Sequence, residues 1–190
     1  MRTTTSSDRR GAVTPITVRV EEPEDRTAVD DLVEEAFGEA SVKRLVQLIR
    51  ASEHWVPQLS LVARRDGELV GHVLLSTADL VANGDTQQIL LLSPLAVRPS
   101  AQGSGIARRL VEEGIVAADR AGYAVIVLEG DPALYGRLGF EPATALGIER
   151  PSALIPEPAW QAHRLAAYHD GIRGRVTYQS AFWETGSVGP

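Results

Sequence analysis

The stretch Leu95-Ala96-Val97-Arg98-Pro99-Ser100-Ala101-Gln102-Gly103-Ser104-Gly105-Ile106-Ala107 carries an apolar strand through a glycine loop directly into a helix. Gly103 and Gly105 have no Cβ, so successive backbone N–H groups and the positive end of the following helix can converge on a phosphate. This layout predicts a cradle for a phosphorylated cofactor. The ATP and GTP loop, Gly-x-x-x-x-Gly-Lys-Ser/Thr, fails, because the single lysine, Lys43, lies far from any such pattern. The dinucleotide fingerprint, Gly-x-Gly-x-x-Gly/Ala, fits poorly: its third position is Arg108, and five residues, Arg98 to Gln102, separate Val97 from Gly103. Glu129 does end the next strand, where a ribose-binding acid would stand. A nucleotide-dependent oxidoreductase therefore ranks third among the readings.

The pattern Gln/Arg-x-x-Gly-x-Gly/Ala fits better, matched by Gln102-Gly103-Ser104-Gly105-Ile106-Ala107 after Val97-Arg98-Pro99. Twenty-eight residues after Ala107 comes Tyr135-Gly136-Arg137-Leu138-Gly139-Phe140-Glu141-Pro142, a Tyr-x-x-x-Gly-Phe segment. These two motifs, in this order with a helix and a strand between them, resemble the coenzyme A loop and the end of the cofactor-binding core of the GNAT N-acetyltransferases. Leu59 to Ala63, Gly71 to Val73, Ser93 to Val97 and Gly130 to Tyr135 look like the YhbS-like branch of that superfamily, and the resemblance spans roughly Ile16 to Phe182. One position departs from it: Leu128 stands where many members carry an asparagine.

The resemblance implies an α/β (α+β) fold, with a mixed, mostly antiparallel sheet splayed at a cofactor wedge and flanked by helices. It implies acetyl-CoA as the acyl donor. Backbone groups of Leu95, Ala96 and Val97 would pair with the pantetheine arm, and a backbone N–H near Leu95 would face the thioester carbonyl. Backbone donors of Gln102, Gly103, Ser104, Gly105, Ile106 and Ala107 would hold the pyrophosphate, with Arg108 or Arg109 assisting by charge. Tyr135 takes the catalytic place, since the family motif puts a tyrosine hydroxyl near the coenzyme sulfur. A thiol titrates at about 8.5 and a phenol at about 10, so a neutral tyrosine can protonate a departing thiolate.

Composition agrees with one enzyme domain. The 190 residues, 44% hydrophobic, suffice for a single core. The expected division is a flexible tail over 1–14 and one domain over 15–185. Apolar runs such as Ile89 to Leu92 fall far short of the roughly 20 residues that span a bilayer, and the polar start lacks a signal-peptide apolar region, which predicts a cytoplasmic protein with no membrane partner. The absence of cysteine excludes disulfides, thiolate metal sites and an acetyl-cysteine intermediate, leaving direct transfer. A formal charge of −6 argues against nucleic acid as a partner. His163 and His169 complete no ligand set, so no metal is expected.

Along the chain, Ile16 to Val20 alternates as a strand, and Asp25 to Phe37 places Ala28, Leu32, Val33, Ala36 and Phe37 on one helical face. Acidic Asp30, Asp31, Glu34 and Glu35 make the solvated face. Val42 to Ile49 reads as a second helix. Leu59 to Arg64 and Glu68 to Leu75 form a hairpin through Asp66-Gly67, and Asn83-Gly84-Asp85 turns the chain into the strand Gln87 to Val97. Pro94 cannot donate a ladder hydrogen bond, which predicts a bulge there. Gly105 to Arg120 is the helix after the loop, Ala124 to Leu128 a buried strand, and Pro132 to Leu138 a short helix carrying Tyr135. The chain is loop-rich after Pro142 until a final strand pair over Arg175 to Tyr178 and Gln179 to Trp183.

The base that would take the amine proton has five candidates, Glu35, Glu53, His54, His72 and Glu129, of which His72 reads best as a sheet residue. Trp55, Trp160, Tyr168, Tyr178, Phe182 and Trp183 could line an acceptor pocket, with core packing the simpler reading of each. The reading as a whole is an N-acetyltransferase acting on a primary amine of a small molecule or protein, as a monomer or homodimer. The alternative is a noncatalytic acyl-CoA-binding sensor or regulatory protein.

Overall fold

The structure is a computed structural model, and it describes residues 15–189. The tail expected over 1–14 lies outside them. Strands β1 (Thr17–Val20), β2 (Ser60–Arg65), β3 (Glu68–Ala82) and β4 (Asp85–Val97) pair in sequence, each antiparallel to the last. The β2–β3 turn uses Asp66 and Gly67, and the β3–β4 turn Asn83 and Gly84, all at positive φ, as these dipeptides predict. Both strands of the second hairpin run longer than the sequence pattern indicates. The expected bulge is present: Val73 faces Leu95 but Leu75 faces Leu92, so the register slips where Pro94 offers no donor.

Helices α1 (Arg26–Phe37) and α2 (Ala40–Arg50) separate β1 from β2, and α3 (Ile106–Arg120) follows β4. Strand β5 (Val125–Glu129) then lies parallel to β4. Alternation assigns the two faces. Ile89 and Leu91 of β4 with Val125 and Val127 of β5 pack in the core under α1 and α2, while Leu90, Leu92, Ile126 and Leu128 pack in the core under α3. Gly71 lets α3 approach β3 closely, since a Cβ there would stand 2.7 Å from the Ile106 side chain and 2.9 Å from that of Leu110.

Helix α4 (Pro132–Tyr135) is one turn, capped by the Asp131 carboxylate accepting from the Ala133 N–H at 2.8 Å, and Gly136–Leu138 continues it as a 3-10 turn. The region read as loop contains β6 (Glu141–Pro142), β7 (Ile148–Glu149) and β8 (Trp160–Arg164), with β8 pairing antiparallel to β5. It was illegible because its strands are short and lie between prolines. β9 (Gly174–Thr177) borders β3 beyond the end of β2. The second expected strand, Gln179 to Trp183, is corrected: it is helix α5 (Ser180–Glu184). Its apolar pair, Ala181 and Phe182, is adjacent rather than alternating, so one helical face buries both. Phe37 is also corrected, being 44% exposed at the end of α1 while Val29 takes its place in the core.

Candidate active site

β4 and β5 pair only at Leu90 with Ile126 and Leu91 with Val127. β4 then runs on to Val97 and β5 to Glu129, so the two strands part. The opposite edge of β4 stays paired with β3 as far as Val97 opposite Gly71. Among the described residues, the β5-facing edge of 92–97 therefore has no strand partner, and its backbone can pair with an extended ligand.

A cavity of about 550 Å³ opens at this fork. Leu95 of β4 and Tyr135 of α4 both line it, as do Glu129 and Gly130 between them in the chain. Tyr135 is fixed by edge-on contact with Phe140, their centroids 5.6 Å apart, which joins the two ends of the Tyr-x-x-x-Gly-Phe motif. Burial pushes the Tyr135 phenol up to about 12, so its hydroxyl is protonated at neutral pH. Glu129 is raised above the ordinary carboxylate value by burial, against the smaller opposing effect of a hydrogen bond from the Gly189 N–H at 3.3 Å.

The glycine loop stands at the start of α3 and is not part of the cavity lining. Gly103 and Gly105 have φ of 72° and 83°, and beyond their chain neighbours no heavy atom among the described residues lies within 4 Å of where a Cβ would stand. The first α3 hydrogen bond runs from Arg109 N–H to Gly105 O at 3.0 Å, leaving the N–H groups of Ile106, Ala107 and Arg108 as helix-end donors. The Gln102 side chain donates to Val97 O at 3.3 Å. Arg108 and Arg109 pair outward with Glu112 and Glu113 at 2.7 Å, each on the exposed face of α3. Sequence reasoning missed Arg65, which donates to Ser104 Oγ at 2.8 Å and brings a guanidinium to the loop from β2. Only the hairpin register places it there, 39 positions away.

Of the five base candidates, Glu129 alone lines the cavity. Glu35 is paired with Arg98, and Glu53 and His54 border a separate cavity of about 320 Å³. His72 is fully buried on β3, with Nε2 3.0 Å from Ser60 Oγ and 3.4 Å from the Glu21 carboxylate, which Arg50 also binds at 2.6 Å. Burial holds its pKa down. It is a buried sheet residue away from the cavity, its Nε2 in contact with Ser60 and Glu21 and its Nδ1 without a hydrogen-bond partner among the described residues. Of the aromatic candidates, Tyr178 and Phe182 line the cavity. Trp160 is fully buried and donates to Ile148 O at 3.0 Å, Trp55 and Tyr168 pack against the core, and Trp183 is half exposed on α5. The lining also includes Glu39 between α1 and α2, and Gly186, Ser187 and Gly189 after α5, none of which carried a sequence signal. Among the described residues no cluster of metal-ligating side chains occurs.

The model of the acetyltransferase (GNAT) family matches residues 26–140. The chain belongs to the GNAT family. The GNAT assignment agrees with relatives along nearly the whole chain. It is 38% identical over 169 residues to the uncharacterized N-acetyltransferase YhbS of Escherichia coli, covering 87% of this chain and 97% of that one. It is 31% identical over 164 residues to the uncharacterized N-acetyltransferase YjhQ of the same organism, covering 84% and 90%. The crystal structure of E. coli YhbS in complex with CoA superposes with a TM-score of 0.81 at 36% identity, covering 90% of this chain and 93% of that one. A GNAT family acetyltransferase of Brucella melitensis in complex with acetyl-CoA gives 0.72 at 27% identity, covering 89% and 99%. The mixed sheet open between β4 and β5 is the GNAT fold, and this chain is a GNAT-type acyltransferase.

Proposed function

We propose that this protein moves the acetyl group of acetyl-CoA directly to a primary amine of a small molecule or protein, in a ternary complex, with Tyr135 as the general acid. The observation that carries the reading is that Leu95, at the open edge of β4, and Tyr135, with its neutral phenol, line one cavity at the fork of the sheet. Acetyl-CoA, bound by the relative from Brucella, fits this chain by three features. The β4 edge offers backbone to the pantetheine arm, the Gly103 and Gly105 positions leave space where a Cβ would intrude, and the α3 start supplies free N–H donors.

Leu95, Ala96 and Val97 would hold the arm by their main chain, which orients the thioester and sets an N–H near Leu95 toward its carbonyl oxygen. Gln102 to Ala107 would hold the pyrophosphate, with Arg108 and Arg65 adding positive charge. Tyr135 would give its proton to the departing thiolate. The chain has no cysteine to carry an acetyl group, so attack comes from the acceptor itself. The transferase unit is residues 15–185, with Gly186, Ser187 and Gly189 completing the cavity lining. The cytoplasm, as the compartment of the donor, is its proposed location. The test is calorimetric titration with acetyl-CoA followed by a free-thiol release assay across an amine panel. Amine-dependent thiol release supports the reading, and binding without release on any amine favours a sensor.

A further inference from the structure

The cavity is chemically one-sided. Its titratable lining among the described residues is Glu39, Glu129, Tyr135 and Tyr178, and no arginine, lysine or histidine borders it there. The rest of the lining is largely apolar, including Phe37 and Phe182. Glu129 is half-buried and accepts one long hydrogen bond, from the Gly189 N–H, so most of its acceptor capacity is free. Its charge reaches Tyr178, whose phenol it helps hold neutral, and its chain neighbour Gly130 touches the Tyr135 ring. A carboxylate thus lines the same cavity as the aromatic side chains of Tyr178 and Phe182 and the proposed acid.

We propose that the acceptor is a cationic primary amine with an apolar or aromatic body and no carboxylate of its own, and that Glu129 binds its ammonium group and takes its first proton. This deepens the transferase reading and rests on it. An ammonium group leaving water is matched by Glu129, whereas a carboxylate on the acceptor would enter a lining with two carboxylates and, among the described residues, no cation to meet it. Free α-amino acids are thereby selected against. The protons balance as follows: Glu129 accepts one from the ammonium, and the freed lone pair forms the C–N bond. The C–S bond then breaks as Tyr135 protonates the sulfur, the second N–H proton restores the phenol, and Glu129 returns its proton to water. Burial, which raises the Glu129 pKa, makes it the stronger base. Glu39, Tyr135 and Tyr178 are the other ionisable groups of the cavity lining among the described residues, and both phenols are neutral at working pH.

Phenethylamine and phenylalanine share a body and differ by a carboxylate, so they separate the possibilities when titrated calorimetrically into the full chain saturated with CoA. Phenethylamine is expected to bind at least about 100-fold more tightly than phenylalanine, and Glu129→Gln to weaken it about 10-fold or more while leaving CoA affinity intact. In turnover the same variant is expected to raise KM and lower kcat for phenethylamine. Equal or tighter binding of phenylalanine, no binding of either compound, or indifference of phenethylamine to Glu129→Gln would overturn the proposal. Amine binding without thiol release would leave the specificity standing and overturn the transfer reading. Failure of CoA to bind would overturn both.

Discussion

Gly130 lies against the ring of Tyr135 so closely that a Cβ on Gly130 would stand 2.3 Å from Cε2 and 2.8 Å from Cδ2. The glycine is held there by its N–H donating to Ala159 O at 2.9 Å and its carbonyl accepting from Gln161 Nε2 at 3.0 Å. The main chain at the end of β5 therefore sets where the phenol stands. Gly130→Ala is expected to push the ring from its place, lowering kcat about 10-fold or more and stability by about 1–3 kcal/mol. Thiol release and thermal unfolding on the same sample check both effects.

Tyr135→Phe removes the hydroxyl and keeps the ring in contact with Phe140. The expected outcome is acetyl-CoA affinity unchanged and transfer slowed about 10²-fold. Unchanged turnover in an assay limited by chemistry would remove Tyr135 from the acid role.

Gly105→Val places a β-branched residue at a φ of 83° and a side chain in the open side of the cradle. It is expected to cost about 1–3 kcal/mol of stability and to abolish acetyl-CoA binding. Normal binding by the folded variant would put the pyrophosphate elsewhere.

Asp25 anchors the start of α1 to the sheet. Its carboxylate accepts from Arg19 at 2.6 and 3.0 Å, from Arg64 at 2.8 Å and from the Glu22 N–H at 2.9 Å, and Arg19 above all holds its pKa far below the usual range. A depressed folded pKa means that its contribution is complete above the unfolded value of about 3.9 and is lost as pH falls through that value towards the folded one. Asp25→Asn is expected to destabilise by about 1–3 kcal/mol at pH 7 and to flatten the fall in stability below pH about 4. Denaturant unfolding at a series of pH values reads both.

The Tyr135 phenol runs the opposite way. Raised to about 12, it contributes stability in full below the unfolded value of about 10, and this is lost as pH rises through 12. It also stays protonated as an acid across neutral and mildly basic pH. The basic limb of kcat is therefore expected not to fall below pH about 10 through this group, which a pH–rate profile tests against Tyr135→Phe.

The parts of the fold that the sequence announced are those with strong local chemistry. Asp66-Gly67 and Asn83-Gly84 demanded positive φ, Pro94 broke the ladder, and Gly103 to Gly105 opened α3, each a constraint visible within a few residues. What stayed hidden depends on distant partners. β8 is a strand because β5 offers it an edge, α5 turned a strand-like run into a helix to bury Ala181 and Phe182 together, and Arg65 meets Ser104 only through hairpin register. The site divided in the same way. Leu95 and Tyr135 came from motifs, whereas of the five candidates for the base only Glu129 lines the cavity, because folding put the others outside it.

The central claim is that this cavity transfers acetyl groups with Tyr135 as acid. The most direct measurement is amine-dependent release of free thiol from acetyl-CoA by the full chain, with Tyr135→Phe beside it at equal cofactor occupancy. The account predicts release by the wild type and a rate about 10²-fold lower for the variant. Equal rates, or cofactor binding with no release on any amine, would contradict it.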